Sequence, residues 1–186
     1  MTEACYIAKH SHKGFSLIEV VIILGIVSLV IGGIWMVASD INKRLITQQE
    51  AKGILVIVNN VRKSFKGVYD GTSQLSLADT IESSGMLAGA DGFSASPIAA
   101  RFSAPDGSLI YVNMGPTALG DDIDIKIGTS IRNTGDCIRL VSLISGVAAN
   151  QLHFIGFSNA TYYTFPISPT ASNCNVGGQL DFAFKL

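Results

Sequence analysis

Charged residues are scarce in this chain of 186 residues and make up only 15% of it, against about 25% in an average soluble domain. Lys and Arg number 13 and Asp and Glu number 14, so the formal net charge is −1. Bulk charge therefore offers no attraction to nucleic acid, and a basic DNA-binding domain is disfavoured. The hydrophobic share of 48% also excludes a disordered chain.

Catalytic and metal-binding patterns are missing as well. Of three histidines, His10 and His12 lie close to the N-terminus, and His153 lies in the apolar string LHFIGF. His153 is therefore predicted on a strand face rather than as a catalytic base. The HExxH, GxSxG and P-loop patterns do not occur. The acidic segment 121–124 lacks EF-hand spacing and is predicted to be a solvated turn. We expect no enzymatic activity, cofactor or metal.

Charge is absent altogether between Val20 and Ala38, where the sequence is VVIILGIVSLVIGGIWMVA. As a helix this run would be about 28 Å long, close to the roughly 30 Å hydrocarbon core of a bilayer. Buried core helices seldom stay apolar on every face for this length. A cleaved secretory signal would have an apolar region of about 7–15 residues ending at small residues. We therefore predict a membrane-resident helix.

The flanks of this run predict its orientation. Lys9, His10, His12 and Lys13 precede it, and Asp40 follows it. The positive-inside rule then places residues 1–14 in the cytoplasm and the chain after about residue 40 outside. Lys43 and Arg44 weaken this bias, because they lie just beyond the far end.

Proline is absent before Pro97, so the helix can continue beyond the membrane. An apolar stripe with spacings of three and four supports this continuation. The stripe consists of Ile54, Val58, Val61, Phe65 and Val68. Gly67 and Gly71 are plausible stops. We predict one helix from about Ser16 to about Gly67, whose second half packs on a globular head.

The remaining chain predicts mixed strands and helices. A short helix is predicted from Leu77 to Met86. A linker rich in Gly, Ser and Ala is predicted at about 83–100, and its approximate start overlaps the end of this helix. Residues 136–148 predict an amphipathic helix. Strands are predicted at 108–113, 123–127, 151–157, 161–167 and 179–184. This order of elements predicts an α+β fold.

Glu19 interrupts the apolar pattern. A carboxylate near hydrocarbon is costly and normally needs a partner. It is either an interfacial glutamate at the membrane edge or a charge kept for a specific cationic partner. No Lys or Arg lies between Phe15 and Lys43, so a neighbour on the helix cannot supply that cation. A free amino terminus created by cleavage nearby could.

The string from Lys13 to Val20, KGFSLIEV, followed by the long apolar run, resembles the class III signal of type IV pilins. That signal has a short basic leader, a Gly at the cleavage point, a hydrophobic first mature residue and a Glu at the fifth mature position. Gly14, Phe15 and Glu19 occupy these places. Similar signals mark minor pilins and secretion pseudopilins.

The resemblance implies that a membrane prepilin peptidase cuts between Gly14 and Phe15 and that the Phe15 amine is then N-methylated. Residues 1–14 would be the leader, 15–40 the transmembrane and polymerisation helix, and 41–186 the globular head. In the implied fold, the amphipathic half of the long N-terminal helix packs on an antiparallel sheet. Glu19 would pair with the Phe15 amine of a neighbouring subunit. The implied partners are other copies in a helical homopolymer, the peptidase and methylase, the inner-membrane assembly platform and the membrane itself.

The cysteine count fits this processing. Cleavage after Gly14 would remove Cys5 and leave Cys137 and Cys174 on the oxidising side, either as a disulfide or as two unrelated buried thiols. The string DCIRL around Cys137 resembles the cysteine-bearing helix of type IVb pilins, which implies a disulfide-bounded region at 137–174.

The predicted function is therefore that of a structural subunit, most like the major pilin of a type IVb pilus. It would begin as a precursor in the bacterial inner membrane and end in a surface filament for adhesion, aggregation or conjugative mating. The alternatives are a minor pilin, a type II secretion pseudopilin, or a membrane-anchored binding domain that does not polymerise.

Overall fold

The computed structural model describes residues 16–69, 75–96, 101–116, 123–157, 161–164, 170 and 172–186. The chain divides after Ile41 into two compact units. A long N-terminal helix is followed by an antiparallel sheet, and this confirms the predicted α+β class. The helices are α1 (Leu17–Phe65), α2 (Ala78–Ser83) and α3 (Thr134–Ala148). The strands are β1 (Leu75–Ser76), β2 (Ser94–Ala95), β3 (Phe102–Ser103), β4 (Leu109–Pro116), β5 (Ile123–Ser130), β6 (Leu152–Phe157), β7 (Thr161–Thr164) and β8 (Gln179–Lys185).

Helix α1 agrees closely with the predicted helix from Ser16 to Gly67. Gly67 has a φ of +81°, a conformation that glycine adopts without steric cost and that commonly ends helices. The predicted apolar stripe is correct for Ile54, Val58 and Val61, which are fully buried. It is wrong for Val68, which is 78% exposed, because the helix has ended by then and the 3.6-residue period no longer sets the direction of the side chain.

Among the described residues, eight strands form one antiparallel sheet in the order β2-β3-β4-β5-β8-β6-β7, with β1 paired to β4. The C-terminal strand β8 is therefore central. The register aligns Val112 of β4 with Ile127 of β5, Ile127 with Phe182 of β8, and Phe182 with Ile155 of β6. All four side chains are fully buried. One face of the sheet thus provides a continuous apolar layer.

In the described part of the head, α1 and α3 contribute to a hydrophobic core along with the sheet. Ile54, Ile57, Val58 and Val61 come from α1, and Cys137, Leu140, Val141 and Ile144 come from α3. Asn133 caps α3, because its side-chain oxygen accepts a hydrogen bond from the Gly135 amide at 2.7 Å. The second half of α1 is therefore an integral part of the head's core.

Arg62 fixes the last turns of α1 to the sheet. Its Nε and Nη2 both donate to the Lys185 carbonyl, the Nε bond being 3.0 Å, and its Nη1 donates to Oε1 of Gln151 at 2.8 Å. Burial lowers the pKa of the guanidinium below its ordinary value, but arginine stays charged in proteins. The C-terminal end of β8 is thereby tied to α1.

The other face of the sheet carries a close contact that requires glycine. The ring of Tyr111 on β4 lies over Gly128 on β5, where any Cβ would overlap with it. The Tyr111 hydroxyl donates to Asp181 Oδ1 at 2.5 Å, so the ring bridges from β4 across β5 to β8. Any larger residue at position 128 should displace Tyr111 from this bridge.

Several predicted boundaries are wrong. Helix α2 is shorter than the predicted span from Leu77 to Met86, and the predicted linker at 83–100 contains β2. The two-residue strands β1, β2 and β3 were not predicted at all, because they have no alternation of their own and exist only through pairing. The end of the predicted strand 161–167 lies outside the described residues.

Candidate functional site

The predicted processing junction comes immediately before the helix. Gly14 and Phe15 lie outside the described residues, and Ser16 is the first described one. The Ser16 carbonyl accepts hydrogen bonds from the amides of Glu19 at 3.0 Å and Val20 at 3.2 Å. The chain therefore enters α1 directly after the junction.

Glu19 lies in the first turn of α1 and is exposed. The free amides of a helix N-terminus carry partial positive charge, so a carboxylate in the first turn is stabilised there. A new amino terminus at Phe15 would add a full positive charge close to the same end. The N-terminal end of α1 is thus an electrostatically favourable position for Glu19.

The apolar run of α1 is uncovered. The most apolar stretch of this helix has a mean hydropathy of 2.8 with none of it buried. Leu29 and Trp35 are each 79% exposed. By length and composition the helix can cross a membrane. An apolar surface of this extent needs lipid or protein to cover it.

The two described cysteines form a disulfide within the head. Cys137 and Cys174 are joined with an S–S distance of 2.00 Å and a Cα–Cα distance of 5.9 Å. Both are buried. The Thr134 hydroxyl also donates to the Cys174 carbonyl at 2.9 Å. The first turn of α3 is thus connected twice to the segment that leads into β8.

The acidic segment 121–124 is not the solvated turn that the sequence predicted, as far as it is described. Asp124 lies on β5 with no exposed surface. Nδ1 of His153 on β6 lies 3.2 Å from both of its carboxylate oxygens. His153 is on a strand, as predicted, but the pairing with Asp124 was missed. Asp121 and Asp122 lie outside the described residues.

Glu50 is a buried carboxyl group that the sequence analysis also missed; only 6% of its surface is exposed. It borders a cavity of about 30 Å³, which Asp106, Arg132 and Asp136 also line. The Thr129 hydroxyl donates to its Oε1 over a long 3.5 Å. Desolvation by burial and, secondly, the charge of Asp106 raise the pKa of Glu50 from 4.5 to about 8.

A signal for Glu50 was present in the sequence. Extending the stripe of Ile54, Val58 and Val61 by one turn toward the N-terminus leads to Glu50. A carboxylate at such a position either ends the buried face or is buried with it, and the structure shows the second outcome. Within the described part of the chain, no three His, Cys, Asp or Glu side chains are grouped to hold a metal ion.

Comparison with known families identifies the N-terminal signal. A family model described as the prokaryotic N-terminal methylation motif matches residues 9–38. This range contains the basic residues before Gly14, the Gly14–Phe15 junction, Glu19 and the apolar run. No curated protein and no solved structure matches the chain. The chain therefore carries a type IV prepilin-like signal, which fits a membrane-anchored, structural precursor that is processed by a prepilin peptidase.

Proposed function

We propose that this chain is the precursor of a structural pilus subunit, most like the major pilin of a type IVb pilus. The observation that carries the proposal is a methylation motif at residues 9–38 that runs directly into an uncovered apolar helix. A simple membrane anchor needs the apolar residues but neither the Gly14–Phe15 junction nor Glu19. Polymerisation uses all three.

In the proposed sequence of events, the peptidase removes residues 1–14 and Phe15 becomes the methylated N-terminus. The apolar helix then leaves lipid for equivalent helices of other copies, which keeps its apolar surface out of water. Glu19 pairs with the Phe15 amine of a neighbouring subunit, because each charge is costly in an apolar surrounding without the other. The disulfide between Cys137 and Cys174 supports the type IVb assignment of the head.

The test is intact-mass and N-terminal analysis of filaments sheared from cells with a working pilus machine. We expect an abundant chain that begins at methylated Phe15. A chain present only in traces would instead indicate a minor pilin. A protein that stays monomeric in the membrane with residues 1–14 attached would contradict the proposal.

Gly14→Ala should leave the full-length precursor in the membrane, because the methyl group obstructs the close approach of the backbone to a peptidase cleft. Precursor and mature chain are separated by intact mass. Gly25→Ala is the matched control: a Cβ at Gly25 would meet nothing within 4 Å, so this variant should be cleaved normally. Equal cleavage of the two variants would count against the predicted junction.

Glu19→Gln should leave cleavage intact but strongly reduce the amount of subunit in the sheared filaments. Glutamine keeps the shape of the side chain and removes the charge that would attract the Phe15 amine. Glu82→Gln makes the same charge change at an exposed position of the head and should assemble normally. If both variants yield as much filament as the wild type, Glu19 has no role in assembly.

A further inference from the structure

Trp35 is the single tryptophan of the chain and the single aromatic residue in the uncharged run from Val20 to Ala38. It comes three residues before that run ends, which is about 4.5 Å along a helix. Its side chain is 79% exposed, and the proposed function assigns no role to it. An aromatic residue at this place therefore needs an explanation of its own.

The indole ring of Trp35 has two requirements that neither water nor hydrocarbon meets. Its large apolar surface is costly in water. Its N–H group needs an acceptor, and in the described part of the chain no group accepts a hydrogen bond from it. Deep hydrocarbon would leave this donor unsatisfied. The boundary between hydrocarbon and headgroups meets both requirements, because lipid oxygen atoms there accept hydrogen bonds while the ring stays out of bulk water.

The position of Trp35 along α1 matches such a boundary. The midpoint of the uncharged run is Leu29, and Trp35 follows it by six residues of one continuous helix, or about 9 Å of rise. The first polar residues after the run, Ser39 and Asp40, follow Trp35 within about 8 Å. Since half of the hydrocarbon core is about 15 Å thick, a centred run places Trp35 in the outer part of the core, next to the polar residues.

The other end of the helix fits the same depth. At about 1.5 Å of rise per residue, Leu17 lies about 27 Å from Trp35 along the helix. The hydrocarbon core is roughly 30 Å thick. With Trp35 at one boundary, Leu17 therefore reaches the opposite boundary. The Gly14–Phe15 junction comes next in the sequence, so this depth leaves it at the membrane surface.

We propose that Trp35 anchors α1 in the outer interface of the bilayer, the boundary between hydrocarbon and headgroups on the side opposite to residues 1–14. The indole N–H donates to oxygen atoms of the lipid headgroup region, and the ring lies against the acyl chains. The anchor fixes the depth of the precursor before assembly. The inference rests on the membrane residence in the proposed function and goes beyond it in naming the residue that determines depth.

The first test measures depth with Trp35 itself, because no other tryptophan contributes fluorescence. The full chain is placed in phosphatidylcholine vesicles whose acyl chains carry bromine, a short-range quencher, near either the carbonyl end or the methyl end. We expect stronger quenching of the wild type by bromine near the carbonyl end. Trp35→Leu/Leu29→Trp is the matched control. Leu29 is also 79% exposed but lies at the midpoint of the run, so bromine near the methyl end should quench its tryptophan more.

Two results of this test would overturn the proposal, and they differ in what they mean for the proposed function. A wild-type pattern like that of the Leu29→Trp control would place Trp35 in the hydrocarbon interior. The anchor would then be wrong, and the proposed function would stand. Absence of quenching by both lipids would show that the helix does not enter the bilayer, which would contradict the anchor and the proposed function together.

A second test asks whether Trp35 holds the helix at this depth. Ser39→Cys in a Cys5→Ala background provides one thiol besides the disulfide between Cys137 and Cys174, about 6 Å beyond Trp35. Spheroplasts of cells without a pilus machine are treated from outside with a maleimide that cannot cross membranes. Trp35→Leu should lower the labelling rate roughly threefold, because leucine prefers hydrocarbon and lets the helix sink. Trp35→Tyr keeps an interfacial aromatic residue and should retain most of the rate.

Met36→Leu controls for a change of side chain at the neighbouring position. Met36 is 78% exposed and has no hydrogen-bond donor in its side chain, so its replacement should leave the labelling rate unchanged. Circular dichroism monitors the fold of each variant. Equal labelling of the wild type, Trp35→Leu and Trp35→Tyr would show that position 35 is merely apolar, and the anchor would be rejected.

Discussion

The Glu50→Gln variant should be more stable than the wild type at alkaline pH, by roughly 5 kcal/mol in the free energy of unfolding. The pKa of Glu50 is about 8 in the folded head, against an ordinary value of 4.5. Between these two values the folded state holds a proton that the unfolded state has released. Wild-type stability therefore falls as pH rises from about 4.5 to about 8 and then levels off. Each pH unit in this window costs about 1.36 kcal/mol.

Glutamine removes the titrating group but keeps an oxygen that can accept the hydrogen bond from Thr129. The variant should therefore match the wild type at pH values below 4.5, where Glu50 is neutral in both states, and should lack the decline above that pH. The measurement is chemical unfolding of the full chain in detergent at several pH values. Circular dichroism is the suitable probe, because the single tryptophan, Trp35, lies in the apolar run.

Glu82→Gln provides the matched control for this experiment. Glu82 is exposed on α2, so its replacement should shift neither the stability nor its pH dependence. Parallel stability curves for wild type and Glu50→Gln across the whole pH range would show that the pKa of Glu50 is the same in the folded and the unfolded chain. The cavity beside Asp106 and Asp136 would then have to be hydrated well enough to support the charge.

The sequence allowed the long elements to be predicted because each has a local signal. The apolar run, the absence of proline and the stripe through Ile54 and Val61 define α1, and Gly67 marks its end. The processing signal is also local, since its residues are contiguous in the sequence. A motif of this kind can be read without any structure.

The features that were missed depend on contacts between distant residues. The two-residue strands pair only because β4 is already in place. Asp124 is buried beside His153, which lies 29 residues further along the chain. Arg44 of α1 and Arg139 of α3 line the same groove, although no local pattern encodes how these two helices pack. Local periodicity predicts elements, whereas the partners of charged side chains follow only from how those elements pack.

Removing the disulfide with Cys137→Ala/Cys174→Ala should lower the free energy of unfolding of the head by about 4 kcal/mol. The bridge closes a loop between residues 37 positions apart, and this restricts the unfolded chain. Alanine introduces no buried polar group at either position. The loss of unfolding free energy therefore measures the effect of removing the cross-link and the small volume of the two sulfur atoms. Since domains are stable by only about 5–15 kcal/mol, the effect is large.

The loss should extend beyond the loop itself. Three residues after Cys174, the Gly177 amide donates to the Ile131 carbonyl at 2.8 Å, and the Ile131 amide donates to the Gly178 carbonyl at 2.8 Å. The next residues form β8, which pairs with both β5 and β6 at the centre of the sheet. We therefore expect one cooperative unfolding transition at lower denaturant concentration. Wild type treated with a reductant should shift by a similar amount, and Cys5→Ala should not shift. An unchanged midpoint after complete reduction would mean that packing and these backbone bonds hold the C-terminal segment without the covalent bridge.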